Sequence, residues 1–265
     1  MPEIEHISLG QELDNMLPIT LEEMNSVKLM NRIDAKFLTN EATLRSVLAD
    51  AAAAGYRVLV TEGERQSPYE TVYFDTPGLR MFYDHHNRRL VRQKVRTRCY
   101  VRSGEAYLEI KRKNNHGRTS KKRIGLPLEQ MTDFSANPEA CTYLAKHSWF
   151  TQADVSPSLE TAFTRITLVN PDLTERLTVD TQLRFRNLRT GLGTTLQDAV
   201  IIELKQDGRC QSKMRSIFLE HRIKPVRISK YCIAITLTDP SAKSGRFKVK
   251  VRAIEKTIDK KLVIQ

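Results

Sequence analysis

Arg92-Gln93-Lys94-Val95-Arg96-Thr97-Arg98-Cys99-Tyr100-Val101-Arg102 is the stretch on which the fold turns. In an extended chain successive side chains point to opposite faces. One face then carries Arg92, Lys94, Arg96, Arg98 and Arg102, and the other Val95, Thr97, Cys99 and Val101. The plain reading is a solvated outer face. Such a face ordinarily mixes signs, however, because like charges about 7 Å apart on one face repel. An uninterrupted run of cations calls for a counter-charge, so the strand reads as an anion-binding face.

The neighbouring segments repeat the pattern and add acids. Tyr107, Glu109, Lys111 and Lys113 share a face at the same period, and Lys121 and Arg123 follow across a turn. Farther on, Glu203-Leu204-Lys205 repeats the E-x-K of Glu109-Ile110-Lys111, beside the apolar Val200-Ile201-Ile202. Arg176, Thr178 and Asp180 form another same-face set, as do Arg184 and Arg186. One same-face ion pair is weak evidence. Two of them, among several strands that each send cations to one side, predict a sheet curled around an ionic interior. Buried like charges persist only where a polyanion or metal neutralises them. Carboxylates amid Lys and Arg suit a hard divalent cation bridging to phosphate oxygens.

Working outward, residues 10–30 read as a helical lead-in and 31–38 as a short strand with Arg32, Asp34 and Lys36 on one face. A helix over 41–54 has caps at Thr39-Asn40 and a stop at Gly55. Strands are expected at 69–75, 90–102, 106–113, 119–126, 158–169, 174–186 and 198–206, with helices at 138–148, at 210–221 and from 229 onward. Turn signals such as Thr76-Pro77-Gly78, Asn114-Asn115-His116-Gly117 and Asn170-Pro171-Asp172 part neighbouring strands by a few residues, which favours antiparallel pairing. No linker divides the chain. The expectation is one α+β domain over 1–240 and a basic tail over 241–265. In the tail, Phe247-Lys248-Val249-Lys250-Val251-Arg252 alternates apolar and basic, which reads as a strand with one cationic face, and 253–259 as a short helix.

The charge is concentrated in the same places. The 265 residues carry 43 Lys and Arg, 31 Asp and Glu, and a net charge of +12. Residues 88–123 alone hold fourteen cations and two acids, and 241–265 eight cations and two acids, so the remainder is mildly acidic. Such a distribution points to a polyanionic partner. Four scattered cysteines with no C-x-x-C argue against a disulfide framework or zinc site and for reduced thiols in a cytoplasmic setting. No run of apolar residues is long enough to span a bilayer as a helix, and the first residues lack a secretory pattern. Phosphate-binding glycine loops, H-E-x-x-H and G-x-S-x-G do not occur.

Taken in order, these pieces resemble one family. Tyr73-Phe74-Asp75-Thr76, Phe82-Tyr83, the alternating Arg92 to Tyr100, Glu109-x-Lys111, Glu203-x-Lys205 and Ser229-Lys230-Tyr231 come in the sequence found in the VTC (vacuolar transporter chaperone) catalytic domain. That domain is a polyphosphate polymerase of the triphosphate tunnel metalloenzyme superfamily. The resemblance runs from about Arg32 to Leu237. It implies an α+β fold with an antiparallel, eight-stranded β tunnel and flanking helices. It also implies that Mn2+ or Mg2+ helps move the γ-phosphate of ATP onto a growing inorganic polyphosphate. Carried over residue by residue, Lys36, Arg96, Arg98, Lys111 and Glu203 fall on catalytic positions. Arg92, Lys94, Lys122, Arg165, Arg176, Lys205 and Lys230 fall on phosphate-binding ones, and the sequence leaves open whether Lys121 or Lys122 stands at the further tunnel lysine. Glu203 and Glu109 fall on metal-binding ones.

The sequence departs from the family in places. Arg32-x-Asp34-x-Lys36 replaces the superfamily's E-x-E-x-K, and His85 stands where some members have an arginine that Arg88 or Arg89 would then replace. The family's phosphate-sensing SPX domain and transmembrane segments have no counterpart in these 265 residues. A tripolyphosphatase or nucleoside triphosphatase of the same fold, and a non-catalytic polyanion-binding module, are the competing readings. Nucleic acid is not the expected partner, since the basic strand offers few aromatics for stacking and Glu109 and Glu203 would repel a phosphate backbone. The basic tail and the family's membrane subunits leave room for an anionic membrane surface or a membrane-protein partner at the cytoplasmic face.

Overall fold

The computed structural model describes residues 9–25, 32–208 and 210–264, and has eleven β-strands and eight α-helices among them. In chain order these are α1 (Gly10–Asp14), β1 (Pro18–Ile19), α2 (Leu21–Asn25), β2 (Arg32–Asn40), α3 (Glu41–Ala53), β3 (Arg57–Leu59), β4 (Ser67–Asp75), α4 (Arg80–His86), β5 (Arg92–Tyr100), β6 (Glu105–Lys113) and β7 (Thr119–Leu126). There follow α5 (Pro138–His147), β8 (Ser156–Val169), β9 (Glu175–Asn187), β10 (Gly193–Leu196), β11 (Ala199–Asp207), α6 (Lys213–Glu220), α7 (Lys230–Thr238) and α8 (Gly245–Ile258). Eight of the strands are eight residues or longer and coincide with the eight expected from the sequence; β1, β3 and β10 are short additions.

The chain folds into two compact units. The first comprises Met1–Ser67, Arg165–Thr181 and Asp198–Arg227. Here β11 pairs antiparallel with β2 on one side and β9 on the other. Period-two alternation sends Phe37, Leu177, Val179, Val200, Ile202 and Leu204 to one face, where all are buried. That face is covered by α3 and α6. Helix α3 begins where Asn40 accepts a hydrogen bond from the Thr43 amide at 2.9 Å, and it buries Leu44, Val47, Leu48 and Ala51 at helical spacing. Gly55 ends it at φ +78, a conformation that favours glycine. From α6, Phe218 packs on Phe37 with ring centroids 4.4 Å apart.

The second unit comprises Pro68–Thr164, Gln182–Gln197 and Ile228–Gln265. Strands β4, β5, β6 and β7 form an antiparallel run. One face places Val72, Phe74, Val95, Leu108 and Ile110 in a core closed by Phe134, Ala140 and Leu144. Asp75, at the end of β4, is buried and accepts the amides of Met81 at 2.9 Å and Phe82 at 3.0 Å, which starts α4.

The tail differs from its reading. Residues 247–252 are not a strand: they lie within α8, which covers Gly245–Ile258. The K-V-K-V alternation gives no stripe at period two once no neighbouring strand is there to pair. At period 3.6, Phe247 and Ile254 line up and are buried at 3% and 0% exposure. Phe247 packs on the rings of Phe82, His85 and His86. The lead-in is likewise broken, into α1, β1 and α2, and its part over 26–31 lies outside the described residues. Arg102 lies past the end of β5, exposed in the turn to β6, and so does not share the strand's cationic face.

Candidate anion-binding site

The face of β4–β7 opposite the core of the second unit carries the cations. Register places residues directly across from one another in rows. Tyr73, Arg96, Glu109 and Arg123 make one row. Lys94, Lys111 and Lys121 make the next, followed by Arg92 and Lys113. In the other direction come Thr71, Arg98, Tyr107 and Gly125, then Tyr69, Tyr100 and Glu105. The alternation read from the sequence is therefore extended sideways into a two-dimensional basic surface.

Glu109 is fully buried and holds this surface together. Its Oε2 accepts from Arg96 Nε at 2.8 Å and Nη2 at 2.6 Å, and its Oε1 pairs with Lys121. Burial pushes its carboxyl upward, but Arg96, Arg98 and Lys121 outweigh that and hold it at about 2. Arg98 donates Nε to Thr71 Oγ1 at 3.2 Å, and Arg96 Nη1 lies 3.4 Å from Tyr73 Oη. Although burial opposes it, the Tyr73 hydroxyl is drawn down to about 8 by Arg96, Lys94, Arg98 and Lys230. Lys111 shows the excess of charge most directly. The Arg96 guanidinium first, then burial, then Arg98 push its ammonium down to about 6, with Glu109 compensating only in part. At Lys111, then, Glu109 does not offset the charge of the neighbouring guanidiniums.

Helix α7 adds to it. Ser229 caps the helix by accepting from the Cys232 amide, and its Oγ also receives Lys94 Nζ at 3.0 Å. Lys230 Nζ sits 3.9 Å from the Phe163 ring centroid. Tyr231 Oη donates to Asp75 Oδ2 at 2.6 Å. The Tyr-Phe-Asp-Thr and Ser-Lys-Tyr motifs thus meet: Asp75 starts one helix and anchors the helix that carries Lys230.

The first unit has a smaller face of the same character. Lys36, Glu203 and Thr178 lie in one row, and Asp34, Lys205 and Arg176 in the next. Glu203 Oε1 pairs with Lys205 Nζ at 2.9 Å. Burial raises its carboxyl, but Lys205, Lys36 and Arg165 together hold it well below the usual carboxylate range. Burial, opposed by Glu203 but reinforced by Arg176 and Arg165, lowers the Lys205 ammonium. Arg165 makes a two-pronged contact with Asp180, Nε at 2.6 Å and Nη2 at 2.8 Å.

The resemblance implies a divalent metal, and the two glutamates fit one differently. Glu109 Oε2 takes both Arg96 contacts, and Oε1 faces Lys121 with no hydrogen-bond partner among the described residues, so a divalent ion at Glu109 would have to displace Lys121. Glu203 fits better: it is part-exposed, and the neighbouring Thr178 Oγ1 is buried with no hydrogen-bond partner among the described residues. Among the described residues no group of three or more His, Cys, Asp or Glu is placed to hold a metal. A single carboxylate suits an ion held mainly by substrate phosphates.

Other expected residues fall as follows. Lys122 stands across from Ile110, on the opposite face from Glu109, and is exposed; Lys121 occupies the row with Lys111. Arg92 donates to the Arg89 carbonyl at 2.8 Å at the outer end of the surface. His85 Nδ1 lies 3.3 Å from Cys232 Sγ, and Arg89 pairs with Asp84 at 3.2 Å. The sequence reading assigned no role to Tyr73 or Thr71, which share the face at period two, nor to Asp180. Their signal was the parity of β4 and β9.

Comparison with known proteins gives one family and a fold. The model of the VTC domain matches residues 31–238. Among solved structures, a Bacillus halodurans protein provisionally described as an adenylate cyclase is 13% identical, with 76% of this chain and 96% of that one covered at a TM-score of 0.50. A provisional adenylyl cyclase of Hippeastrum, described as having a dominant triphosphatase activity, is 12% identical over 76% and 94% at a TM-score of 0.48. No curated protein matches. The Bacillus structure shares the α+β antiparallel architecture, that of the triphosphate tunnel fold.

Proposed function

The chain belongs to the VTC domain family, and from that premise we propose that it is a polyphosphate polymerase, transferring the γ-phosphate of ATP onto inorganic polyphosphate. The family and the fold support a polyphosphate-related or triphosphatase-type function; the polymerase is the finer reading. One observation carries it: register gathers Lys94, Lys111 and Lys121 in one row beside Arg96 and Arg98, on the same face of the sheet, around the buried Glu109. Cations concentrated this closely on one face suit a ligand with many phosphates.

In this reading Arg96, Arg98 and Lys111 hold the oxygens of the transferred phosphoryl group. Lys94 and Lys230 meet the phosphates beside it, and Arg92 meets the departing chain. The first unit's own face would take phosphate oxygens on Lys36, Arg165, Arg176 and Lys205, and Glu203 would hold a divalent ion there. Bound there, Mg2+ or Mn2+ supplies positive charge to the phosphate oxygens. A terminal oxygen of the acceptor polyphosphate attacks the γ-phosphorus, the bond to the β-bridging oxygen breaks, and ADP leaves. Catalysis then comes from positioning and charge stabilisation, with no covalent role for the protein.

The test is product analysis after incubation with ATP and Mg2+ or Mn2+. Long polymer on a gel, lost in Arg98→Ala, supports the reading. Free phosphate alone identifies a triphosphatase, in which water replaces the acceptor, and binding without turnover identifies a polyanion-binding module.

A further inference from the structure

The cationic surface of the second unit has a chemical polarity along its strands. From Arg92 to Arg98 every row carries Lys or Arg. The row beyond Arg98 carries none: it is Tyr69, Tyr100 and Glu105. Around it the aromatics gather. Tyr69 stacks on Phe163 with ring planes 13° apart and centroids 5.4 Å apart, and meets Tyr100 edge-on at 5.0 Å. Tyr100 meets Tyr107 edge-on at 5.9 Å. Guanidiniums face the same rings, with Arg98 Cζ 5.5 Å from Tyr69 and Arg123 Cζ 4.4 Å from Tyr107. Tyr69, Tyr100 and Tyr107 are part-exposed, and a Cβ on Gly125, across from Tyr107, would meet nothing within 4 Å. Tyr107 Oη donates to Glu105 Oε1 at 3.1 Å, so a carboxylate closes this end.

In the outermost row a phosphate chain would meet Glu105 and no row cation, while the nearest guanidiniums, Arg98 and Arg123, lie against ring faces. Flat π-faces flanked by guanidiniums, with a carboxylate acceptor at the edge, are instead what a nucleobase needs. Rows two residues apart lie about 7 Å apart along a strand, so Tyr100 stands about 13 Å from Arg96. The base, ribose and triphosphate of a nucleotide bridge such a span.

We propose that Tyr100 and Tyr107 form the nucleobase subsite, which orients the substrate with its base at the β5–β6 turn and its γ-phosphate toward Arg96 and Lys111. The inference rests on the reading of ATP as phosphoryl donor. It makes the aromatic end the nucleoside entrance and the Arg92–Lys113 end the side to which the polyphosphate runs.

Equilibrium binding separates the base from the phosphates. Dissociation constants for ATP and for inorganic tripolyphosphate would be measured at equal Mg2+ on the full chain, Tyr100→Leu/Tyr107→Leu, and Tyr107→Phe. Base stacking of the usual strength predicts that the double variant loses about fivefold or more in ATP affinity. Tripolyphosphate affinity should stay within about twofold, which also reports an intact fold, and the ring-retaining Phe variant should resemble the parent. Unchanged ATP affinity, or an equal loss for both ligands, overturns the subsite. Polymer formation by the parent protein is scored separately, so failure of the polymerase reading is distinguishable from failure of the subsite.

Discussion

Lys111 offers the sharpest quantitative test of an anion-starved surface. In the free protein its ammonium titrates at about 6, because Arg96, burial and Arg98 all disfavour its charge. At pH 8 only about 1% of the molecules would then carry that proton. A bound triphosphate supplies the missing negative charge and returns Lys111 toward its ordinary 10.5. Binding at pH 8 should therefore take up about one proton at this residue. Affinity should fall about tenfold per pH unit between the two values, as the proton becomes harder to supply. The assay is calorimetric titration of tripolyphosphate into the protein at pH 8, in two buffers of different ionisation enthalpy. Lys111→Met is the control, and subtracting it cancels the ligand's own protonation and that of Lys121. The sign in the free protein is also fixed. A lysine whose folded value lies below its unfolded one contributes stability that rises with pH from about 6 to about 10.5. A difference of less than about 0.3 proton between parent and variant would refute the reasoning.

Breaking the Glu109 centre by Arg96→Ala should destabilise the protein by about 3–5 kcal/mol, since a buried carboxylate loses its two-pronged partner; chemical denaturation measures it. Arg98→Ala, which relieves repulsion among like charges, should keep the fold by circular dichroism while abolishing turnover. The Glu109 carboxyl, held at about 2 against an ordinary 4.5, contributes stability that is complete above about 4.5 and lost as pH falls toward 2. An acid melting series in parent and Glu109→Gln, with the parent losing more over that window, checks the sign. Glu203→Gln should shift the divalent-ion dependence of turnover to higher concentration with little change in melting temperature, whereas a purely structural partner of Lys205 would do the reverse. Phe247→Ala should cost about 3–5 kcal/mol, because the ring is buried against Phe82, His85 and His86; thermal unfolding decides it.

The sequence by itself determined what depends on chain-local periodicity. Alternation along Arg92 to Tyr100 set which side chains share a face, and the same rule assigned Glu109 and Lys111, Glu203 and Lys205, and Arg176 and Thr178. Asn40 and Ser229 marked helix starts through hydrogen bonds that span three residues. Tertiary structure decided whatever depends on pairing between distant segments. A period-two strand has two faces but no inherent register, so only its partner could show that Lys121 rather than Lys122 stands beside Lys111. The contacts of Glu109 with Arg96 and Lys121, and of Asp75 with Tyr231, join residues that nothing in the local sequence ties together. In the tail, Phe247 to Arg252 fits two periods equally well over so short a window, and burial of Phe247 and Ile254 selected the helix. Local sequence chose the faces; long-range packing chose the neighbours, and with them the charge balance that lowers the Lys111 ammonium.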